Sequence, residues 1–372
     1  MTVRGPAPAN GIVAAVPTSL TGVTFGGEAA IRWLEVIDNR AIGRVGATSE
    51  IIASTDDGLT HTTLATVGIS SIIGILPCAD GEWLFVTGET GSTGGIWRSS
   101  GWAANPATAT FTKVCTPSDH AYFIRWGVDG DGTKFIATEY ATTAAPGWAA
   151  SRQVQISLNG GVTWATKYDT LDVHGEVNNA DTHLHAGCYD PWEDRFWFSE
   201  GHRDSAGIYY SDDDGDTWTR MTGGMADTID PTPTVMVATD DGIVCGTDSR
   251  PSGVLGIKRK ANPADLTLDM LYQWQDETPP LAGFAQRGFR DPATGLVYIG
   301  FNTEYEEYAV VIAAGSASAA EVAWEAAPGI ARVWSQIVTP NGVVLARMAH
   351  EGFTARDFRG AVPRELWQGR RI

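Results

Sequence analysis

The sequence has no apolar run long enough to cross a membrane, and its first ten residues lack the apolar core of a secretory signal peptide. We therefore expect no membrane span and no export by the general secretory route. Cysteine is scarce, and the four residues Cys78, Cys115, Cys188 and Cys245 lie far apart in apolar stretches. Because this scatter gives neither the spacing of a metal site nor a disulfide framework, buried free thiols are expected.

Basic residues are also few: 26 Lys and Arg stand against 44 Asp and Glu, for a formal net charge of −18. This charge argues against a nucleic-acid partner, since such binding depends on neutralising phosphates with Lys and Arg. Glycine and tryptophan are abundant, with 43 and 14 residues. Together with short apolar runs they favour many turns and aromatic packing over long helices. The 372 residues suffice for one large all-β domain or two ordinary ones.

A polar turn followed by an apolar run recurs along the chain, as in residues 80–89 and 131–139. Successive turns are 42 residues apart (39 to 81) to 62 residues apart (132 to 194). Such a repeat predicts hairpins in a single all-β propeller of four-stranded antiparallel blades. Seven copies favour seven blades, with six or eight as alternatives because the first and last copies are weak. The turn markers are Asn39, Gly81, Gly132, Asp194, Gly242, Gly295 and Gly342.

A second repeat, Ser-x-Asp/Asn-x-Gly-x-Thr-Trp/His, occurs at residues 54–61, 157–164 and 211–218. We name these segments the octapeptide turns and expect each between the third and fourth strands of a blade. Ser and Asp side chains can bond backbone N–H groups of the turn, Gly can take a positive φ, and Trp can fold back onto the blade. We predict structural roles for Ser54, Asp56, Gly58, Ser157, Asn159, Gly161, Trp164, Ser211, Asp213, Gly215 and Trp218.

With these turns the chain resembles the Asp-box (BNR-repeat, sialidase-like) β-propellers, and most of all the propellers of bacteriophage tail and receptor-binding proteins. The resemblance covers most of residues 29–372 and implies the fold rather than an activity. The sialidase hallmark is altered, because Ile31-Arg32-Trp33 has no proline after it. Residues 1–28, rich in Pro, Gly and Ala, are predicted to form an attachment arm, part of which could close the last blade as an outer strand.

Acidic and histidine residues are expected to gather on the face opposite the hairpin turns, where the second strands end. Alternation along a strand would point His183 and His185 in one direction. The pair could bond neighbouring backbone, hold a divalent metal ion or perform acid–base chemistry. The predicted ligand-binding residues are His183, His185, His202, Glu200, Trp148 and Trp192. The metal candidates are His174, Asp181, His183 and His185, and the catalytic candidates are Glu139, Glu200 and Asp248.

These patterns favour a bacteriophage receptor-binding propeller that recognises a host cell-surface glycan, with the arm binding other tail proteins. Such a protein would be part of the virion and act outside the host cell. No cofactor is required by the pattern, although a divalent metal ion is possible. A glycoside hydrolase or polysaccharide lyase on the same scaffold is the alternative, and a purely architectural virion protein is another. A homo-oligomer is compatible with the sequence.

Overall fold

The computed structural model describes residues 31–45, 49–90, 93–141, 151–175, 183–201, 206–221, 232–247, 253–273, 283–290, 295–303, 309–317, 319–325, 330–339, 343–350 and 356–361. Within these ranges the chain forms strands β1 to β27 and one α-helix, α1 (Thr170–His174). The prediction of an all-β protein is confirmed. No helix in the described ranges is long and apolar enough to cross a membrane. The predicted arm, residues 1–28, lies outside them.

The strands of the described residues form seven sheets, six with four strands and one with three. The first two sheets contain β1 (Ile31–Ile37), β2 (Arg40–Val45), β3 (Glu50–Ser54), β4 (Thr62–Thr66), β5 (Ile72–Pro77), β6 (Trp83–Thr87), β7 (Gly95–Ser100) and β8 (Thr110–Cys115). The third and fourth contain β9 (Tyr122–Gly130), β10 (Phe135–Tyr140), β11 (Gln153–Ser157), β12 (Ala165–Asp169), β13 (His183–Asp190), β14 (Arg195–Gly201), β15 (Gly207–Ser211) and β16 (Thr219–Arg220).

The remaining three sheets follow in the same way. The fifth and sixth contain β17 (Pro233–Thr239), β18 (Gly242–Thr247), β19 (Gly253–Lys258), β20 (Leu268–Gln273), β21 (Gly283–Arg290), β22 (Val297–Thr303), β23 (Ala309–Ser316) and β24 (Ala319–Glu325). The three-stranded sheet contains β25 (Ile330–Val338), β26 (Val343–His350) and β27 (Arg356–Ala361). In every sheet the strands lie in chain order and pair antiparallel.

The first strands of the seven sheets contact one another in order along the chain, and β25 contacts β1. They therefore surround a common centre, which we call the channel. The hydrophobic cores lie between consecutive sheets: Leu34 and Ile42 of the first sheet share a cluster with Ile75 and Phe85 of the second. Strands β6 and β14 are buried over their whole length. Burial on both faces explains the consecutive apolar residues Trp83-Leu-Phe-Val86 of β6 and Phe196-Trp-Phe198 of β14.

A register shift interrupts the pairing of the first strand with the second in every sheet. The shift is largest in β9, where residues 124–127 lie opposite Thr138 alone, between the Phe123–Glu139 and Val128–Ala137 pairs. A bulge bends its strand and re-aims the side chains within it. This one carries Arg125 and Trp126, two residues that line the channel.

The predicted hairpin markers that fall in the described residues lie in or at the edge of the connection between a first and a second strand. Asn39 and Asp194 have φ values of 59° and 53°, and Gly81, Gly132 and Gly295 are also in the positive-φ region. Gly342 lies outside the described residues. All four cysteines are buried and free, as the sequence predicts.

Candidate functional site

The octapeptide turns connect third to fourth strands in their sheets and share one set of hydrogen bonds. In the first, the backbone N–H of Gly58 donates to Ser54 Oγ at 2.9 Å, and the N–H of Thr60 donates to Asp56 Oδ1 at 2.9 Å. The glycines have φ values of 78°, 77° and 83°, a region that residues with a Cβ rarely adopt. The equivalent bonds of the other two turns join Gly161 to Ser157, Thr163 to Asn159, Gly215 to Ser211 and Thr217 to Asp213.

The tryptophans of these turns pack inward. The indole N–H of Trp218 donates to the Lys167 carbonyl of the preceding sheet at 3.0 Å, and its ring lies edge-on to Phe198, 4.7 Å between centroids. Trp164 donates to the Gly161 carbonyl. Hydrogen bonds from Thr60 lower the pKa of Asp56 to about 2, and bonds from Thr217 lower that of Asp213. Asp56 and Asp213 are therefore occupied within their own turns, while Asp212 and Asp214 pair with Arg195 and Lys134.

Two outer turns use a different sequence. Asn105 and Asn262 each accept a hydrogen bond from the N–H two residues on and begin short 3₁₀ turns, Pro106–Thr108 and Pro263–Asp265. Both lie between the third and fourth strands of their sheets, where three other sheets carry octapeptide turns. The Asn-Pro pair is a turn initiator because Asn bonds its own backbone and Pro fixes φ.

His183 and His185 are the predicted residues that the structure brings closest together. Their Nε2 atoms are 2.6 Å apart and each side chain is 1% exposed. The Tyr140 ring lies 5.9 Å from the ring of His183 and 6.3 Å from that of His185. A Cβ on Gly201 would lie 2.3 Å from His185 Cε1, so the glycine makes room for this imidazole. The two histidines are buried at the start of β13, the end of that strand away from its hairpin turn.

Glu139 lies on the second strand of its sheet and is fully buried. It accepts hydrogen bonds from the backbone N–H groups of Ser118, Arg152 and Gln153, at 2.6, 3.2 and 2.9 Å. Burial raises its pKa above the usual range of a glutamate, although these N–H groups favour the charged form. The Glu139 carboxylate thereby ties the segment before β9 to the start of β11.

Glu200 is also fully buried, at the end of β14. Its carboxylate accepts a hydrogen bond from the Tyr168 hydroxyl at 3.0 Å and lies 3.1 Å from His174 Nε2. Burial raises the pKa of Glu200, against the opposing effect of His174. Among the described residues, no three His, Cys, Asp or Glu side chains are grouped closely enough to hold a metal ion.

Several predicted site residues lie outside the described residues: Trp148, Asp181, His202 and Asp248. A metal site that uses Asp181 stays a prediction for that reason. Two tryptophans of the sequence have opposite environments. Trp102 is 4% exposed and packs on Trp83, 4.7 Å between ring centroids, whereas Trp192 is 45% exposed.

Trp192 lies in the turn between β13 and β14, at the opposite end of β13 from His183. The structure therefore separates it from the histidines with which it is predicted to bind a ligand. The guanidinium groups of Arg259 and Arg290 lie 5.2 and 4.8 Å from the centroid of its ring. Asp190, 1% exposed, accepts from the Trp192 N–H at 3.0 Å and from Arg259 Nη2 at 2.7 Å. These contacts hold an exposed aromatic face in one orientation.

A cavity of about 260 Å³ lies in the channel at the end near the hairpin turns. Arg125 forms an ion pair with Glu35 of the first sheet. Asp129 accepts a hydrogen bond from the Tyr189 N–H at 3.1 Å, and burial raises its pKa. The polar side chains that line the cavity are Glu35, Arg125, Trp126, Asp129 and Arg290.

These five cavity residues are absent from the sequence-based list of site residues. Each lies in a first strand: Glu35 in β1, Arg290 in β21 and the other three in β9. These three strands are far apart in the sequence but meet at the channel. The available signal was a charged residue inside an apolar strand, as with Arg125 after Phe123-Ile124. That signal gives a location in a strand but not the direction of the side chain across a bulge.

No protein-family model matches the chain, and no curated protein sequence matches it. The fold is similar to the β-propeller domain of Cps50 (Swd1) from Myceliophteria thermophila, with a TM-score of 0.54 at 9% identity over 90% of this chain and 98% of that one. It is also similar to the WD40 β-propeller domain of Doa1, with a TM-score of 0.50 at 11% identity over 91% of this chain and 95% of that one.

A third similar structure is the GH74 xyloglucanase from Xanthomonas campestris, with a TM-score of 0.52 at 12% identity. The match covers 91% of this chain and 52% of the xyloglucanase, so the chain spans about half the length of that enzyme. At such identities a structural likeness shows the fold alone. With its antiparallel sheets and the contacts among their first strands, the chain folds as a β-propeller.

Proposed function

We propose that this β-propeller binds carbohydrate, and that it is a bacteriophage tail protein that recognises a glycan on the host surface. The observation that carries the proposal is Trp192, the one large aromatic side chain that is exposed among the described residues. An exposed indole presents a large aromatic face with one polar edge, on which the apolar face of a ligand can stack. The resemblance of the octapeptide turns to those of tail propellers supports the tail location.

The surroundings of Trp192 suit a sugar. The apolar face of a pyranose ring can stack on an indole, while its hydroxyl groups need donors and acceptors at the edge of the stack. The guanidinium groups of Arg259 and Arg290 lie over the ring and offer N–H donors next to the stacking surface, and Glu193 and Asp190 are acidic neighbours at the same turn. Asp190 accepts from the backbone N–H of Trp192 and from Arg259 Nη2, so the turn and one of the donors are positioned before a sugar binds.

Binding without hydrolysis agrees best with the described carboxylates. A glycosidase needs two carboxyl groups that face the bond to be cleaved, about 5 Å or about 6.5–9.5 Å apart. Glu139 and Glu200 are buried and bonded to their own scaffold. A glycan hydrolysed by the purified protein would favour the alternative, a glycoside hydrolase, and a protein that binds no glycan would favour an architectural role.

We further infer that each of the seven sheets is one blade of the ring. The contact of β25 with β1 supports this arrangement. The arm of residues 1–28 would then add an outer strand to the sheet of β25, β26 and β27, and bind other tail proteins with the remainder. Deletion of residues 1–28 should lower stability if the arm supplies that strand.

The test compares Trp192→Ala with Leu59→Ala on an array of bacterial surface polysaccharides. Both changes remove exposed apolar side chains, but Leu59 lies in an octapeptide turn. We expect Trp192→Ala to weaken glycan binding about tenfold or more, because the stacking surface is lost, and Leu59→Ala to leave it unchanged. Equal binding by Trp192→Ala and the wild type would exclude this surface, and no binding by the wild type to any polysaccharide would exclude the function.

A further inference from the structure

The channel cavity contains an excess of hydrogen-bond donors. The Nε–H groups of Arg125 and Arg290 and the indole Nε1–H of Trp126 are buried and have no hydrogen-bond partner among the residues that the structure describes. All three residues line the same cavity. A buried donor without a partner loses its bonds to water and gains none in return, and native proteins contain few such groups. Three at one cavity indicate that a group with acceptor atoms belongs there.

The acidic residues of the cavity do not supply those acceptors. The carboxylate of Glu35 accepts from its neighbour, the Val36 N–H, at 3.1 Å, and pairs with an Nη atom of Arg125, while the Nε atom of Arg125 stays unpaired. Asp129 is bonded to the Tyr189 backbone, and burial favours its neutral form. The positive charge of the Arg290 guanidinium is therefore paired with neither Glu35 nor Asp129, the two described carboxylates that line the cavity.

We propose that the channel cavity binds a small oxyanion, a carboxylate or a phosphate, among Arg125, Trp126 and Arg290. Planar guanidinium groups match the oxygen atoms of both anions, and the indole N–H adds a third donor. The volume limits the ligand, since about 260 Å³ is roughly eight times the share of one water molecule in the liquid. A monocarboxylic acid or phosphate fits this space, whereas an oligosaccharide does not.

This binding site differs in place from the carbohydrate surface proposed above. Trp192 is exposed on the outside of the turn after β13, whereas Trp126 lies in the bulge of β9 within the channel. Arg290 lies beside both, 4.8 Å from the Trp192 ring centroid and in the lining of the cavity. An oxyanion bound there would hold Arg290 and, through it, the ring of Trp192.

The direct test is isothermal titration of the full chain with sodium phosphate, sodium acetate and glycerol, at constant ionic strength set with sodium chloride. We expect saturable binding of phosphate, of acetate or of both, and none of glycerol, which carries no charge. Comparison of the phosphate and acetate titrations decides which oxyanion the cavity prefers. If neither anion binds in the millimolar range, or if glycerol binds as well as they do, the cavity is only a water-filled part of the channel and the proposal fails.

A matched pair of variants locates the binding. Trp126→Phe removes a buried N–H without a described partner from the cavity. Trp97→Phe is the control, because it removes the same kind of N–H from a residue that does not line the cavity. We expect about tenfold weaker anion binding for Trp126→Phe, the loss of one hydrogen bond to a charged group, and less than twofold for Trp97→Phe. Equal effects of the two substitutions on anion binding would contradict the proposed site.

Arg290→Gln offers a second measurement if Trp126→Phe does not fold. It keeps a polar side chain of similar length and removes the charge, so we expect at least tenfold weaker anion binding. Unchanged binding in this variant would contradict the proposal. The titrations contain no glycan, and the polysaccharide array is probed in buffer without phosphate or carboxylate. Failure of the oxyanion site is therefore separable from failure of the carbohydrate surface.

Discussion

In both the outer turns and the channel of this propeller, charged side chains form hydrogen bonds, but the bonded residues are separated by very different distances in the sequence. In the turn of residues 54–61, Asp56 bonds Ser54 and Thr60, within four residues of itself. In the channel, Arg125 pairs with Glu35, 90 residues away. The outer turns satisfy nearly all of their polar groups, whereas Arg125, Trp126 and Arg290 of the channel keep unpartnered donors.

The difference distinguishes residues whose hydrogen bonds stabilise the fold from residues that keep donors available to a ligand. Asp56 and Asp213 bond their own turns, and the two aspartates beside Asp213 pair with cations of the scaffold, Asp212 with Arg195 and Asp214 with Lys134. The channel cavity, lined by residues from six of the seven first strands, instead contains donors without a described partner. Acidic density in the sequence is therefore a poor guide to where polar groups stay available in this fold.

The largest effect should come from a turn glycine. Gly215 and Gly101 have φ values of 83° and 85°, but a Cβ on Gly215 would lie 2.5 Å from Ile156 Cδ1, while nothing lies within 4 Å of one on Gly101. We expect Gly215→Ala to lower the free energy of unfolding by about 3 kcal/mol and Gly101→Ala by about 1 kcal/mol. Urea denaturation measures both. Equal losses would mean that packing of the octapeptide turn against the preceding sheet contributes nothing.

An intermediate effect should appear in the pH dependence of stability, with opposite signs for an acidic residue of an outer turn and for the buried carboxylates of two second strands. The pKa of Asp56 is lowered from 3.8 to about 2, so its contribution is present above pH 3.8 and is lost as the pH falls toward 2. Burial raises the pKa values of Glu139 and Glu200 above 4.5, so stability falls as the pH rises from 4.5 through those raised values.

The two variants that separate these signs are Asp56→Asn and Glu139→Gln. Thermal unfolding between pH 2 and 8 should show a weaker acid-side loss for the first and a shallower decline above pH 4.5 for the second. A steeper decline in Glu139→Gln would show that the three backbone N–H groups at Glu139 outweigh its burial. A comparison of Asp213→Asn with Asp56→Asn would repeat the acid-side measurement in a second octapeptide turn.

The smallest effect should come from one substitution made in both regions. Trp218→Phe removes a hydrogen bond to the Lys167 carbonyl, and Trp126→Phe removes a donor with no partner. We expect a loss of about 1 kcal/mol for Trp218→Phe and less than about 0.5 kcal/mol for Trp126→Phe in buffer without phosphate or carboxylate. A loss at Trp126 as large as that at Trp218 would imply that its N–H is already satisfied.

Much of the fold follows from local patterns. The octapeptides and the hairpin markers carry their turn chemistry within a few residues, and the described ones lie where the sequence predicts. The Asn-Pro turns at residues 105 and 262 are equally local. The all-β class and the four-stranded antiparallel sheets are confirmed, while the number of blades stays a prediction. The site was harder, because the predicted set combined Trp192 with His183 and His185, which lie at opposite ends of β13.

The sequence by itself determined the strands, the turns and the roles of the turn residues, because each depends on bonds between near neighbours in the chain. Only the tertiary structure decided that Trp102 is buried and Trp192 exposed, and that Glu35, Arg125 and Arg290 line one cavity. Neither result has a local cause. Burial of a tryptophan depends on which sheet packs against it. Charged residues converge on the channel because the ring of sheets brings together first strands that are as far apart in the sequence as β1 and β21.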